Sequence, residues 1–472
     1  MDAPFYEPLS HLDASFLALE TPTTHMHVAG VVLFDAAELK TDSGGIDIER
    51  IRGHIAGKLA YIPRYRQRLA WTPGNRHPVW VDDDHFNFDY HVRHTSLPRP
   101  GTDDLLKRLA GRIDSQPLDR AKPLWELWVV EGLNDNRFAI IAKIHHSMVD
   151  GISGVDLTTI LLNVVPTSDI EPPAHWSPRP TPTSSQLVVA EAARTTRSAV
   201  DTLTNLRTLT NRGREAAVTA SGKGFAAFNS LRSGWLRAAT RTPLNPDLGP
   251  NRRFDWTNTP LAEIKAIRNA FGGSVNDVVL AIAAGAVRKF LLERRDFDLG
   301  GVEFRAMNPV STRKADQRGA LGNQVAMWLV DLPVGDPDPI SRLNKIKSET
   351  SKLKATNQAL GASTLVELSR GTPLTIISLA NRVVGPLMRP FNLTVTNVPG
   401  PQFPMFLLEA QMLANYPIVP LWSQHGLGFA LFSYNGQVAW GVHSDFDAIP
   451  DIEAVTAAIQ ASTAELLSAA SG

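Results

Sequence analysis

The sequence predicts an α/β protein of two lobes, each a mixed sheet with flanking helices. Three observations carry that expectation. The 472 residues exceed what one ordinary core organises, so roughly two domains are expected. Strand-like and helix-like patterns alternate through the first third and return after about residue 252. Between them EPPAHWSPRPTPTSS (171–185), rich in Pro and Ser, reads as a linker. The expected divisions are a first lobe over 1–170, a linker with a helical crossover over 171–245, and a second lobe over 246–472.

Each element has its own signal. THMHVAGVVLF (24–34) reads as a strand, and IERIRGHIAGKLAYIPRYRQRL (48–69) as an amphipathic helix. LWELWVVEG (124–132) and FAIIAKIHH (138–146) are apolar runs of strand length, separated by the turn-like LNDNR. GVDLTTILLNVV (154–165) has helical length and spacing. In SVNDVVLAIAAGAVRKFL (274–291) the apolar residues fall on one helical face, and Ser274 with Asp277 makes a capping-box-like start. FALFSYNGQVAWGVHSDF (429–446) is two alternating runs about Asn–Gly, a strong hairpin signal. DIEAVTAAIQASTAELLSA closes the chain as a helix.

Composition narrows the function. Forty-seven basic and 47 acidic residues cancel, so no global field draws the chain to nucleic acid. With no cysteine there is no disulfide, no thiolate metal ligand and no Cys nucleophile. That is compatible with a cytoplasmic location. No secretory signal is visible at the start, and the longest apolar stretch, 278–287, is about half of the ~20 residues a membrane span needs. The segment 186–242 is locally basic, with nine Lys or Arg against Glu191, Asp201 and Glu215. Two readings stay open for it: basic amphipathic helices resting on an inner-membrane or lipid-droplet surface, or a solvated crossover. Serine-hydrolase elbow, zincin, P-loop and dinucleotide fingerprints are all missing.

What remains is HHSMVDG (145–151), at the end of an apolar strand. A neutral imidazole is the natural general base near pH 7. Asp150 lies beyond a turn, placed either to orient the ring or to anchor the loop, and Gly151 allows a tight backbone conformation. Adjacent histidines on a strand point to opposite faces, which disfavours a shared metal ion. Base, metal ligand and satisfied polar strand end all remain open from residue types alone.

HHSMVDG resembles the HHxxxDG signature of acyl-CoA-dependent acyltransferases and peptide-synthetase condensation domains. With LSHLDASFLALE (9–20), PLWELWVVEGL (123–133), NDVVLAIAAGAVRKFL (276–291) and TVTNVPGP (394–401), in order along the chain, the sequence resembles the bacterial wax ester synthase/diacylglycerol acyltransferase family. It looks most like the actinobacterial triacylglycerol synthases. One departure is Asn308 in AMNPVSTR (306–313), where an apolar residue is expected.

The resemblance implies two chloramphenicol-acetyltransferase-like lobes with the active site in a tunnel between them. It implies His146 as general base for an alcohol attacking an acyl-CoA thioester directly, with no covalent intermediate, metal or cofactor. His145 would face the other side of the strand, and Asp150 would hold the loop, with Arg313 as its partner. Asn276 is the candidate oxyanion donor, with the competing reading that Asn276 and Asp277 merely cap their helix. His145, Gly151, Pro123, Trp125, Asp277 and Asn397 complete the residues placed about the substrates, core packing being the rival for Pro123 and Trp125. The expected acceptor is diacylglycerol, with long-chain fatty alcohol as the alternative. A carrier-protein-dependent condensation enzyme, a non-catalytic lipid-binding module and an esterase are the rival functions.

Overall fold

The computed structural model describes residues 5–74, 76–149, 160–189, 238–311, 325–357 and 389–471. The first half supplies β1 (Glu7–Pro8), α1 (His11–Leu19), β2 (His27–Asp35), α2 (Ile48–Lys58), β3 (Gln67–Trp71), β4 (Pro78–Asp82), α3 (Phe88–His91), β5 (Val92–Ser96), α4 (Asp103–Asp114), β6 (Trp125–Glu131), β7 (Arg137–His145) and the single turn α5 (His146–Val149). The second half supplies β8 (Arg252–Pro260), α6 (Leu261–Phe271), α7 (Val275–Arg295), β9 (Arg305–Ser311), β10 (Val325–Asp331), α8 (Pro339–Asn357), β11 (Leu393–Pro399), β12 (Phe406–Leu407), β13 (Ala410–Ile418), β14 (Leu427–Tyr434), β15 (Gln437–Asp445) and α9 (Ile452–Ser471).

Two six-stranded mixed sheets organise these elements, in the orders β12-β13-β2-β7-β6-β5 and β10-β9-β11-β14-β15-β8, with a small β1-β4-β3 sheet beside the first. The α/β class with two sheet-rich lobes is as the sequence predicts. The division at residue 246 needs correction. β12 and β13 come from the second half, yet β13 pairs antiparallel with β2 from Met412↔Phe34 to Ile418↔Ala29 and so completes the first sheet. Covering the open edge of β2 satisfies its backbone and buries Ala410 and Met412 in the first core.

The helix expected over 48–69 is corrected as well. It stops at Lys58, because Pro63 cannot continue the ladder and Gln67 already belongs to β3. The Pro-rich linker is fastened to the first lobe. Arg179 grips Asp82 with Nε at 2.8 Å and Nη2 at 2.8 Å, and Glu171 accepts from Lys58 and Tyr61. The expected helix over 154–165 and the basic crossover fall mostly outside the described residues.

Three cores result. One lies between the first sheet, α2 and the small sheet, and another between the second sheet and α6, α7, α8 and α9. The third fills the space between the lobes. Alternation sends Val31, Leu33, Ala139 and Ile141 to one face of the first sheet, where they meet α4 and Phe254, Trp256 and Ala439 of the second sheet. The buried residues Leu106, Leu109, Ala110 and Ile113 of α4 follow helical spacing, so that helix inserts as an apolar wedge. Gly111 permits its closest approach, since a Cβ there would stand 2.8 Å from the Arg252 carbonyl.

Candidate active site

The interlobe layer is apolar in the middle and polar at one end, and the polar end holds the histidines. Continuing the alternation of β7, Lys143 and His145 lie on the face of Ala139 and Ile141, and the register sets His145 opposite His27 of β2. Lys143 is fully buried. Its ammonium donates to the carbonyls of Ile113 and Gln116, each at 2.9 Å, and so caps the C-terminal end of α4 where a cation is favoured. Burial lowers its pKa. Across the layer His443 of β15 stands 3.1 Å from the buried Asp114 carboxylate, tying the second lobe to α4. Burial alone would raise the Asp114 pKa, but the charge and hydrogen bond of His443 hold it well below the carboxylate range.

His145 and His146 part company at the strand end. His145 is the last residue of β7 and is buried, whereas His146 opens α5 and is half-buried. The expectation that both belong to the strand is thus corrected: the chain turns between them. Backbone bonds fix that turn, with His145 N–H donating to Leu124 O at 2.9 Å and His146 N–H to Met26 O at 2.8 Å. The His146 ring stacks on Phe16 of α1, with centroids 4.0 Å apart and planes at 26°, and its Nδ1 is on the buried side. The opening motif of the chain is therefore one wall of the site.

His145 is held at Nδ1 and faced by a carboxylate at Nε2. Ser147 closes on Nδ1 with its hydroxyl at 2.7 Å and its N–H at 3.1 Å. A peptide N–H can only donate, so Nδ1 accepts and Nε2 carries the proton. Nε2 faces Glu20 Oε1 at 3.3 Å. That carboxylate also accepts from Met26 N–H at 2.8 Å and from Arg120 at 2.6 Å, and His27 Nε2 lies 3.7 Å away. Burial would raise the Glu20 pKa, but His145, then His27 and Arg120, keep it well below the usual range. Burial, with the nearby charge of Lys143, pushes His27 down to about 3, so that ring is neutral.

The other predicted residues divide. Asp150, Gly151 and Arg313 lie outside the described residues. Asn276 is half-buried in the first turn of α7, where its Oδ1 meets the Nδ2 of buried Asn308 at 3.5 Å. The departure at Asn308 is therefore a polar contact to the candidate oxyanion donor. Asn397 sits half-buried on β11, in register with Leu431 of β14.

Four of the residues named about the substrates make scaffold contacts, as the rival packing and capping readings expect. Asp277 closes a capping box with Ser274 through Oδ2 and accepts from Thr350 through Oδ1 at 2.7 Å. Trp125 is wholly buried, stacked on His91 at 4.5 Å and donating to Tyr65 O at 2.8 Å. Pro123 is buried beside it, its carbonyl accepting from Trp125 N–H, and His145 is enclosed as described. Phe16, Glu20, His27 and Ser147 escaped the sequence reading. The signals were present: Phe16 and Glu20 are four apart, and His25 and His27 are two apart on a strand, hence on one face. Among the described residues no three His, Asp or Glu side chains gather as a metal site.

The wax ester synthase/diacylglycerol acyltransferase catalytic domain matches residues 9–279, and the C-terminal domain of the same family matches 321–467. The chain belongs to the wax ester synthase/diacylglycerol acyltransferase family. It is an acyltransferase. Proteins of Mycobacterium tuberculosis named as diacylglycerol O-acyltransferases are similar throughout. One is 33% identical over 98% of this chain and 90% of its own length, and the one named tgs1 is 30% identical over 97% and 95%. Among solved structures, the wax ester synthase/diacylglycerol acyltransferase of Marinobacter aquaeolei VT8 superposes with a TM-score of 0.72 at 26% identity, covering 99% of this chain and 100% of that one. A starter condensation domain of rhizomide synthetase, solved with C8-CoA and Leu-SNAC, shares the fold at a TM-score of 0.57 and 12% identity, over 99% and 95% of the two chains.

Proposed function

We propose that this family member transfers a long-chain acyl group from acyl-CoA to the free hydroxyl of diacylglycerol, forming triacylglycerol and CoA. The observation that carries the reading is the His146 ring, half-buried where β7 turns into α5 and fixed by Phe16 with Nδ1 inward. Nε2 is then the nitrogen that meets substrate, with acyl-CoA and the lipid alcohol approaching from opposite sides. It takes the hydroxyl proton as the oxygen attacks the thioester carbon, giving a tetrahedral oxyanion near Asn276. Collapse breaks the C–S bond, and the imidazolium returns the proton to the leaving CoA sulfur. No acyl-enzyme forms and no cofactor takes part; Asp150 holds the loop after the base, beside Gly151. General-base assistance of this kind contributes roughly 10²–10⁴-fold.

The basic stretch between the lobes supports peripheral attachment to an inner-membrane or lipid-droplet surface, where both lipids reside. Among the described residues no single helix is long and apolar enough to cross a membrane.

The test is CoA release from palmitoyl-CoA with dioleoylglycerol, read by a thiol-reactive dye to which a chain without cysteine adds no background. His146→Ala should lose about 10²-fold or more of the acceptor-dependent rate. An unchanged rate would overturn the base. Faster release with hexadecanol would reassign the acceptor to fatty alcohol and the product to wax ester.

A further inference from the structure

We infer that Glu20 is a positioning residue for catalysis, its carboxylate locking His145 and the strand-to-turn junction so that the His146 ring is presented to substrate. The inference rests on His146 being the base. Glu20 follows the last residue of α1, the helix that also carries Phe16 onto the His146 ring, so one element touches both histidines. Two chains of contact leave the carboxylate. One runs from Glu20 Oε1 to the Met26 N–H at 2.8 Å, and from the Met26 carbonyl to the His146 N–H at 2.8 Å. The other runs through His145 Nε2 at 3.3 Å to Nδ1, which receives the Ser147 N–H in the first turn after His146. The two converge on the peptide units either side of His146.

Only a carboxylate satisfies all of these neighbours. Met26 N–H, His145 Nε2–H and the Arg120 guanidinium are all donors, and the first two share one oxygen while Arg120 takes the other at 2.6 Å. A glutamine of the same shape has one acceptor oxygen and one NH₂ group. With its oxygen toward Met26 and His145, the NH₂ opposes Arg120. Flipped, the NH₂ meets the Met26 N–H and forces His145 into the other tautomer, which breaks the Ser147 N–H bond to Nδ1. Arg120 also donates to Leu17 O at 3.0 Å, so it cannot leave without disturbing the end of α1.

The experiment compares Glu20→Gln, Glu20→Asp and His146→Ala with the wild-type chain, measuring kcat, KM for palmitoyl-CoA and the thermal midpoint. Glu20→Gln is expected to lower kcat roughly 10–100-fold, the cost of misplacing a reacting group, with KM for palmitoyl-CoA within about twofold. Glu20→Asp, which keeps the charge, should recover much of the loss. In histidine-¹⁵N spectra the His145 pattern, identified by its loss in His145→Asn, should change from protonated Nε2 in the wild type to an altered one in Glu20→Gln. Wild-type kcat in Glu20→Gln overturns the proposal. So does a loss that follows the folded fraction alone and is not recovered by Glu20→Asp. His146→Ala separates the two ideas: full activity there overturns the base assignment, whereas lost activity there beside unchanged Glu20→Gln overturns the positioning role only.

Discussion

The difference between the two adjacent histidines is made by what encloses them. His145 is bonded at Nδ1 by Ser147, with Nε2 buried against Glu20, while His146 is braced on one face by Phe16 and remains half-exposed. Phe16 is only 3% exposed, so its ring is a fixed wall against which the His146 ring is oriented. Phe16→Leu should cost about 1–2 kcal/mol in urea unfolding, as for a modest core truncation. Its kcat should fall by about tenfold, because the aliphatic side chain offers no plane for the imidazole to stack on. Equal losses of kcat and of folded protein would instead make Phe16 a packing residue alone.

At the scale of elements, α7 and the hairpin decide where the second lobe presents its residues. The first turn of α7 carries Asn276, and the capping box of Ser274 with Asp277 fixes that turn, while Thr350 of α8 holds the Asp277 carboxylate from outside. Ser274→Ala should cost about 1 kcal/mol. Asp277→Ala should cost about 2 kcal/mol, since it also takes from the Thr350 hydroxyl its shorter bond and leaves it only the Lys347 carbonyl. In both, turnover per folded molecule should stay near wild type in chemical-denaturation and rate measurements. A specific loss of acyl-CoA binding in Asp277→Ala would return that residue to the substrate site. The β14–β15 hairpin turns through Asn435 and Gly436, both with positive φ, as the Asn–Gly pair predicts. Further along β15, Gly441 lies where the two sheets meet backbone to backbone: a Cβ there would fall 1.8 Å from the Pro417 carbonyl of β13. Gly441→Ala should therefore destabilise the chain by about 3 kcal/mol or more, visible as a large drop in thermal midpoint.

At the scale of the molecule, the charges buried between and within the lobes set an acid limit to stability. Burial holds His27 down to about 3 and His91 to about 4, the latter stacked between Phe86 and Trp125. The unfolded chain takes up protons at these rings near pH 6.5, whereas the native rings do so only near 3 to 4. Between those values the unfolded state binds more protons, so stability is complete above about pH 7 and is lost as pH falls. Glu20 and Asp114, held below the carboxylate range, extend the loss to lower pH as they too become protonated. Urea midpoints should thus fall between pH 7.5 and 5.0, and His91→Phe should flatten the slope. A flat profile would mean that the native rings titrate normally.

Much of this was legible from local pattern. The apolar run at 138–146, the 3.6 period with a capping start at 274–291, and the Asn–Gly hairpin are short-range signals, and each became the expected element, the strand ending one residue early at His145. HHSMVDG stood out for the same reason, as polar residues ending an apolar strand. Other features have no local signature. That β13 completes the first sheet rests on pairing across nearly 400 residues, and a strand's edge partner is not encoded in its own alternation. The site's support had the same character: Glu20 and Met26, Arg120, and His145 with Ser147 come from three separate stretches of the chain, and a buried carboxylate is favourable only once its donors surround it. The sequence by itself determined which residues could do acyl-transfer chemistry and on what elements they ride. Tertiary structure alone decided which histidine faces outward, because burial and hydrogen-bond satisfaction are properties of the assembled neighbours.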